Sequence, residues 1–379
     1  MLEQEKNRRL SSFCIYLCSS ILISLLVIST IATHQVYSVV PEQYSFVGKW
    51  GSKGVGHGSF AQPAGITTDS NGNVYVGDLT GISGKIQKFT GNGTFITSWG
   101  NLGFGPGTFT NPTQLSTDSS DNVYVADLGN AETAVQKFTS NGTFITSWGS
   151  TGLSDGQFIN PSGIGVDSKS NVYVADYGEN NRVQKFDNNG NFITKWGSTG
   201  TGDGQFINPA DIAIDKLNNV YVVDRGNDRV QKFDNNGNFI TKWGSTGTGD
   251  GQFQSPVGIS TDQSGNIYVV DFGNDRVQKF DNNGNFITKW GSAGTGDGQF
   301  QSPIGISTDQ SGNIYVVDFG NDRVQKFDNN GNFITKWGSS GTGDGQFKSP
   351  IGITVNSKDI VYVVDGGNSR VQFFSLAPK

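Results

Sequence analysis

Seven tryptophans recur along this chain, Trp50, Trp99, Trp148, Trp196, Trp243, Trp290 and Trp337, at separations of 49, 49, 48, 47, 47 and 47 residues. A fixed period of that length marks a propeller or solenoid, in which one supersecondary unit is stacked many times. Every unit keeps the same internal order, clearest from Gly244 to Trp290: a glycine-rich stretch GSTGTGDGQF, then SPVGISTD, NIYVVD, RVQKFD and NFITKW. The last four segments are short and rich in β-branched and aromatic residues, which predicts four strands per unit. Between them, DQSGN (Asp262 to Asn266) and DNNGN (Asp281 to Asn285) supply hairpin-turn chemistry.

The aspartate that ends the second strand occurs seven times, as Asp78, Asp127, Asp176, Asp224, Asp271, Asp318 and Asp365. The expectation is therefore an all-β, seven-bladed propeller of four-stranded antiparallel blades. Its last unit stops at RVQFFSLAPK without a fourth strand, whereas the body opens with a spare copy, YSFVGKW, from Tyr44 to Trp50. Pairing the two ends completes the final blade and hides two strand edges.

Ahead of the repeats, Phe13 to Ala32 is 20 residues long, and no Asp, Glu, Lys or Arg falls between Arg9 and Glu42. As a helix this stretch would span roughly 30 Å, a bilayer core, which predicts one hydrophobic helix preceding the propeller. Lys6, Arg8 and Arg9 before it put the body on the outer face of the membrane. Residues 1–38 thus read as a signal-anchor, with secretion after cleavage as the alternative, and 44–376 as the propeller. The only cysteines, Cys14 and Cys18, lie in the hydrophobic stretch, so the body has no disulfide and no thiolate metal ligand. With 16% charged residues and a net charge of −6, it offers no basic field for nucleic acid.

The pattern GNIYVVDFGNDRVQKFD (Gly265 to Asp281), set within WGSxGxxDGQFxxPxGI, closely resembles the NHL repeat family over about residues 44–374. The resemblance implies a propeller, and since NHL domains often close with six blades, seven is a departure that rests on the repeat count. Some propeller lyases related to NHL proteins use histidine-bound metal, but the histidines here are His34 and His57, neither recurring. Other NHL proteins regulate RNA or attach ubiquitin, which fits poorly with a chain that lacks RING-like cysteines and a basic face.

Repetition separates structural from variable positions. The motif Asp is followed by Arg182, Arg229, Arg276, Arg323 or Arg370 in units three to seven, which predicts an ion pair within the blade. Unit two has Ala134 there, leaving Asp127 without that partner. The residue after the motif Asp varies, as Leu79, Leu128, Tyr177, Arg225, Phe272, Phe319 and Gly366, on the face that carries the strand two-to-three loops and the blade connectors. Exposed aromatics at this position would form a contact patch; the alternative is single apolar residues tucked against the next loop. On the innermost strand, the series Gly65, Gln114, Gly163, Asp211, Gly258, Gly305 and Gly352 breaks from glycine twice. Gln114 and Asp211 are thereby candidate ligand residues at the channel mouth. Asn92-Gly93-Thr94 and Asn141-Gly142-Thr143 match the N-glycosylation sequon.

The function expected is a membrane-tethered or secreted scaffold that binds a protein, peptide or glycan on its variable loop face, with no cofactor and no catalytic residues. The alternative is a channel-centred lyase or hydrolase, or a small-molecule sensor. No nucleophile–base–orienter set is evident in the sequence to favour the enzyme.

Overall fold

The computed structural model describes residues 42–79 and 84–377. Over these the chain forms seven four-stranded antiparallel sheets, as the seven motif aspartates predict. Blades 1 to 6 run Pro63–Trp99, Pro112–Trp148, Asn160–Trp196, Pro209–Trp243, Pro256–Trp290 and Pro303–Trp337; blade 7 comprises three strands of Pro350–Leu376 and the closing strand Tyr44–Trp50. The hydrophobic stretch 13–32 lies outside the described residues. Among the described residues no helix is long and apolar enough to cross a membrane.

Strand sequence follows position in the blade. The second strand, Ile267–Asp271 in blade 5, is buried at every residue, because sheet neighbours flank it and adjacent blades cover both of its faces. The outer strand Phe286–Trp290 alternates between half-buried and exposed until Trp290, one of its faces being in water. The core lies between blades rather than within them: Tyr268 and Val270 of blade 5 pack with Ile314, Val316 and Phe327 of blade 6. Each such side chain contributes roughly 1.5–3 kcal/mol by burial. Trp290 spans the same junction, with its ring centroid 5.5 Å from that of Phe327. Beneath it the hairpin turn of blade 6 must carry Gly331: its φ is +82°, and a Cβ there would stand 2.3 Å from the indole.

Ring closure follows the expected pairing. The strand Tyr44–Trp50 runs antiparallel to Arg370–Leu376, from Tyr44 opposite Leu376 to Trp50 opposite Val371, with a register shift between Phe46 and Gly48. The Ala377 N–H donates to the Gln43 carbonyl at 2.7 Å. Both ends of the propeller therefore sit on the face that carries the hairpin turns. The opposite face carries the blade connectors and the strand two-to-three loops, which bond to each other, as where the Gly273 N–H donates to the Gln254 carbonyl at 2.8 Å.

Candidate functional site

Two regions gather the positions at which the repeats differ, the loop face and the central channel. On the loop face, each motif aspartate is fully buried and fixes the connector that precedes its own blade. In blade 5, Asp271 accepts from the Gln254 N–H at 2.7 Å, the Asn274 amide at 2.9 Å and Arg276 Nε at 2.7 Å. Arg276 then donates its other nitrogens to the carbonyls of Thr248, Gly249 and Gln252 at 2.6, 3.0 and 2.6 Å. The expected ion pair is thus made in blades 4 to 7. It is looser in blade 3, where Arg182 Nε stands 3.5 Å from Asp176. Burial pushes the carboxyl of Asp271 above the ordinary range, while Asn274, the Gln254 N–H and Arg276 pull it back.

Blade 2 lacks the arginine, as its sequence requires; Asp127 keeps the equivalent asparagine, Asn130, at 2.7 Å and also takes the Thr110 hydroxyl at 3.0 Å. In blade 1, Lys85 Nζ does not pair with Asp78; it donates to the carbonyls of Val55 and Gly56 at 2.7 and 2.6 Å. One main-chain site is therefore held by different donors. The carbonyl equivalent to that of Thr248 is held by Lys85 at Val55, by the Thr133 hydroxyl at Phe104 (3.0 Å) and by Arg182 at Leu153 (2.8 Å).

The series after the motif Asp does not form the exposed patch expected of it. Leu79, Leu128, Tyr177, Phe272 and Phe319 are half-buried, and only Arg225 is exposed. They stand one to a blade around the ring, at the start of loops whose main chain bonds to the connectors. The exposed apolar residues of this face lie in the connectors themselves: Val55, Leu102, Phe104 and Leu153 are 50–59% exposed. Val55, Phe104 and Leu153 occupy one repeat position that is exposed in all seven connectors and is Thr201, Thr248, Thr295 or Thr342 in the rest. The signal was present in the aligned connectors.

Charge changes over the same sector. In blades 3 to 7 a rim ion pair ties connector to outer strand: Asp155–Lys195, Asp203–Lys242, Asp250–Lys289, Asp297–Lys336 and Asp344–Lys49. In blade 1 the pair becomes His57 and Ser98, whose Nδ1 and hydroxyl lie 3.0 Å apart. In blade 2 the corresponding residues are Pro106 and Ser147.

In the channel, the glycine series has a steric cause: a Cβ at Gly305 would come within 2.7 Å of the Ile351 carbonyl in the next blade. The two exceptions are brought together in one cavity of about 420 Å³, in its wall rather than only at its mouth. Asp211 accepts the Ile212 N–H at 2.9 Å and, from blade 5, the Ile259 N–H at 3.2 Å. Gln114 accepts the Ile164 N–H of blade 3 at 3.4 Å, and it stands near enough to Asp211 to pull that carboxyl down. Burial raises the Asp211 carboxyl to about 6, against the lowering pull of these three groups. Asn92 and Asn141 are exposed in the outer hairpin turns of blades 1 and 2.

The architecture defines a seven-bladed propeller with a loop-face sector and a polar channel wall. Compared with known families, residues 253–280, 300–327 and 347–374 match the NHL repeat, and residues 166–235 match a family described as a 6-bladed beta-propeller. The NHL matches fall in blades 5 to 7, and the ring has one blade more than that second description states. No curated protein matches its sequence. Among solved structures it is similar to a streptogramin B lyase, at a TM-score of 0.68 and 15% identity, covering 89% of this chain and 98% of that one. A virginiamycin B lyase from Staphylococcus aureus gives 0.66 at 14% identity, covering 88% and 100%. The WD40 propeller domain of Doa1 gives 0.63 at 11%, covering 88% and 97%. Identities this low establish shared fold alone.

Proposed function

We propose that this chain is an exported, membrane-tethered scaffold that binds a protein or peptide through the loop face of blades 1 to 3. The observation that carries the reading is the exposed apolar set Val55, Leu102, Phe104 and Leu153, confined to three consecutive connectors. Loss of the rim ion pairs in blades 1 and 2 supports it, since interface cores are depleted of charge and enriched in apolar anchors. The carbonyls of Val55, Phe104 and Leu153 are each hydrogen-bonded, so the anchors stand on fixed main chain and lose little freedom on binding. The two ends of the propeller, at Tyr44 and Leu376, lie on the other face. Export and tethering rest on the 13–32 stretch and the basic residues before it.

The rival reading, a channel lyase, draws on the fold shared with streptogramin B lyases. The one histidine among the described residues, His57, bonds to Ser98 on the rim and does not line the channel. The scaffold reading is tested by placing a photo-crosslinking residue at position 104 or, as control, at the equivalent Thr295 in cells that make the protein. A partner captured at 104 and absent at 295 is expected. Equal capture at the two positions, or none at 104, overturns the reading.

A further inference from the structure

The channel wall is asymmetric in a way that the blade repeat does not require. Five of seven blades present glycine in this innermost series, while blades 2 and 4 present Gln114 and Asp211, which line one cavity although two different blades supply them. Across the same cavity, blades 5, 6 and 7 present the half-buried side chains of Val257, Ile304 and Ile351. None of the lining residues is Lys, Arg or His. Asp211 is therefore an anion with no cation in the cavity wall, its carboxylate hydrogen-bonded by two main-chain N–H groups, with the Gln114 side chain nearby. A carboxylate accepts about four hydrogen bonds, so acceptor capacity remains on the side that faces the cavity.

An anion held this way, with no cation beside it, costs folding energy. The repeat itself supplies a cheaper residue, the glycine of the other blades. A few convergent polar groups in an apolar cavity are the ordinary makeup of a small-molecule site. The cavity volume, about 420 Å³, is in the range of such sites. A hard metal ion fits poorly, because calcium takes six to eight oxygen ligands and one carboxylate with one amide supplies too few. The donor set suits a ligand that brings its own N–H groups and positive charge.

We propose that the channel binds a small organic ammonium ion, its charged nitrogen against Asp211 beside Gln114 and its apolar body against Val257, Ile304 and Ile351. The site is separate from the loop-face sector and stands whether or not that sector binds a partner.

The test is calorimetric titration of the full chain at pH 7.5 with methylammonium, n-butylammonium and benzylammonium, with benzyl alcohol and benzoate as neutral and anionic counterparts. Saturable binding is expected for benzylammonium, weaker for the smaller amines and absent for the alcohol and the acid. Asp211→Asn keeps the shape and removes the charge, and should weaken binding at least tenfold. Asp211→Gly installs the residue that five blades carry, so it should fold, as checked by its melting transition, and should also lose binding. A carboxylate that served only to brace the blades would alter melting without giving charge-selective binding. Binding should also decline as the pH falls from 7 to 5 and Asp211 takes up a proton. Absence of saturation by all three amines up to about 10 mM, where a ligand gains only some 3 kcal/mol, overturns the proposal. So does undiminished binding to the Asp211→Asn protein, or equal binding of benzyl alcohol.

Discussion

The Glu42 carboxylate lies 2.6 Å from the Lys326 ammonium, where every earlier blade junction has a main-chain carbonyl. Lys88, Lys137, Lys185, Lys232 and Lys279 reach the hairpin carbonyls of Ser140, Asn188, Asn235, Asn282 and Asn329 in the next blade, at 2.5–2.9 Å. Blade 7 has no such hairpin, because its outer strand comes from the other end of the chain, and Glu42 takes over as acceptor. Burial alone pulls the Lys326 ammonium down, as it does for Lys279, but Glu42 and Tyr44 reverse the shift and hold it above its ordinary value. Beside it the hydroxyls of Tyr44 and Tyr315 meet at 2.7 Å, and Tyr44 stacks on Trp337 at 4.5 Å.

Closure should therefore depend on the tyrosine more than on the ion pair. Glu42 is 39% exposed, but the Lys326 side chain is only 3% exposed and would lose its acceptor, so Glu42→Ala should cost about 1–3 kcal/mol. Tyr44→Ala removes the stacked ring and leaves the Tyr315 hydroxyl short of one partner; about 3–5 kcal/mol is expected for deleting a buried aromatic. Urea unfolding of both variants at low and high salt separates the two effects.

The motif aspartates give a second expectation. Asp271→Ala strips an acceptor from Arg276, Asn274 and the Gln254 N–H together, leaving a buried guanidinium without its counter-charge. A loss of about 3–5 kcal/mol is expected for breaking a buried pair from one side. Hydrogen exchange should quicken first across the connector from Ser245 to Phe253, since Arg276 holds three of its carbonyls. Slow exchange there, with stability lost elsewhere, would contradict the link between aspartate and connector.

The frame of this fold was legible because the sequence repeats it. Seven motif aspartates gave the blade number, and the missing strand after Phe374 together with the spare one at Tyr44 gave the closure. What was not legible depends on where a side chain ends up. Val55, Phe104 and Leu153 sit in the same glycine-rich connectors as Phe60, Phe109 and Phe158, which are buried; hydrophobicity alone does not tell the exposed member from the buried one. Phe272 and Phe319 depart in the opposite direction: a residue just beyond a buried strand end reads as solvated, yet both are half-buried. The substitution of Lys85 for arginine was hidden by loop length, since Lys85 lies further from Asp78 than the arginines lie from their aspartates, and that of Thr133 by register, since Ala134 and not Thr133 aligns with the arginines. Gln114 and Asp211 were singled out by their break from glycine, but their sharing of one cavity needed the ring closed in space.

The loop-face sector makes a prediction about stability as well as binding. Val55→Thr, Leu102→Thr, Phe104→Thr and Leu153→Thr replace exposed side chains with the residue type found in other connectors, so each should change stability by no more than about 0.5 kcal/mol. Retention on a hydrophobic-interaction column should fall in the fourfold variant while its melting temperature holds. A large drop in melting temperature would show that these side chains pack against the protein and are not available to a partner.

Asp211 supplies the pH dependence. Its carboxyl is raised to about 6 in the folded protein, from 3.8 unfolded. The folded state therefore holds this proton more tightly, and the contribution to stability is present below the unfolded value and lost as pH rises through about 6. Two units correspond to on the order of 3 kcal/mol, and the half-open position of the side chain makes that an upper bound. Asp211→Asn has no proton to lose, so it should match the parent near pH 4 and exceed it by about 1–3 kcal/mol at pH 7. The difference between the two unfolding curves at each pH is the quantity to measure, because the motif aspartates titrate in both proteins and cancel. A saturating ammonium ligand at pH 7 should close that gap by raising the parent alone, through mass action on its folded state. If the gap appears without ligand and stays unchanged with it, the buried charge is a cost that this ligand class does not offset.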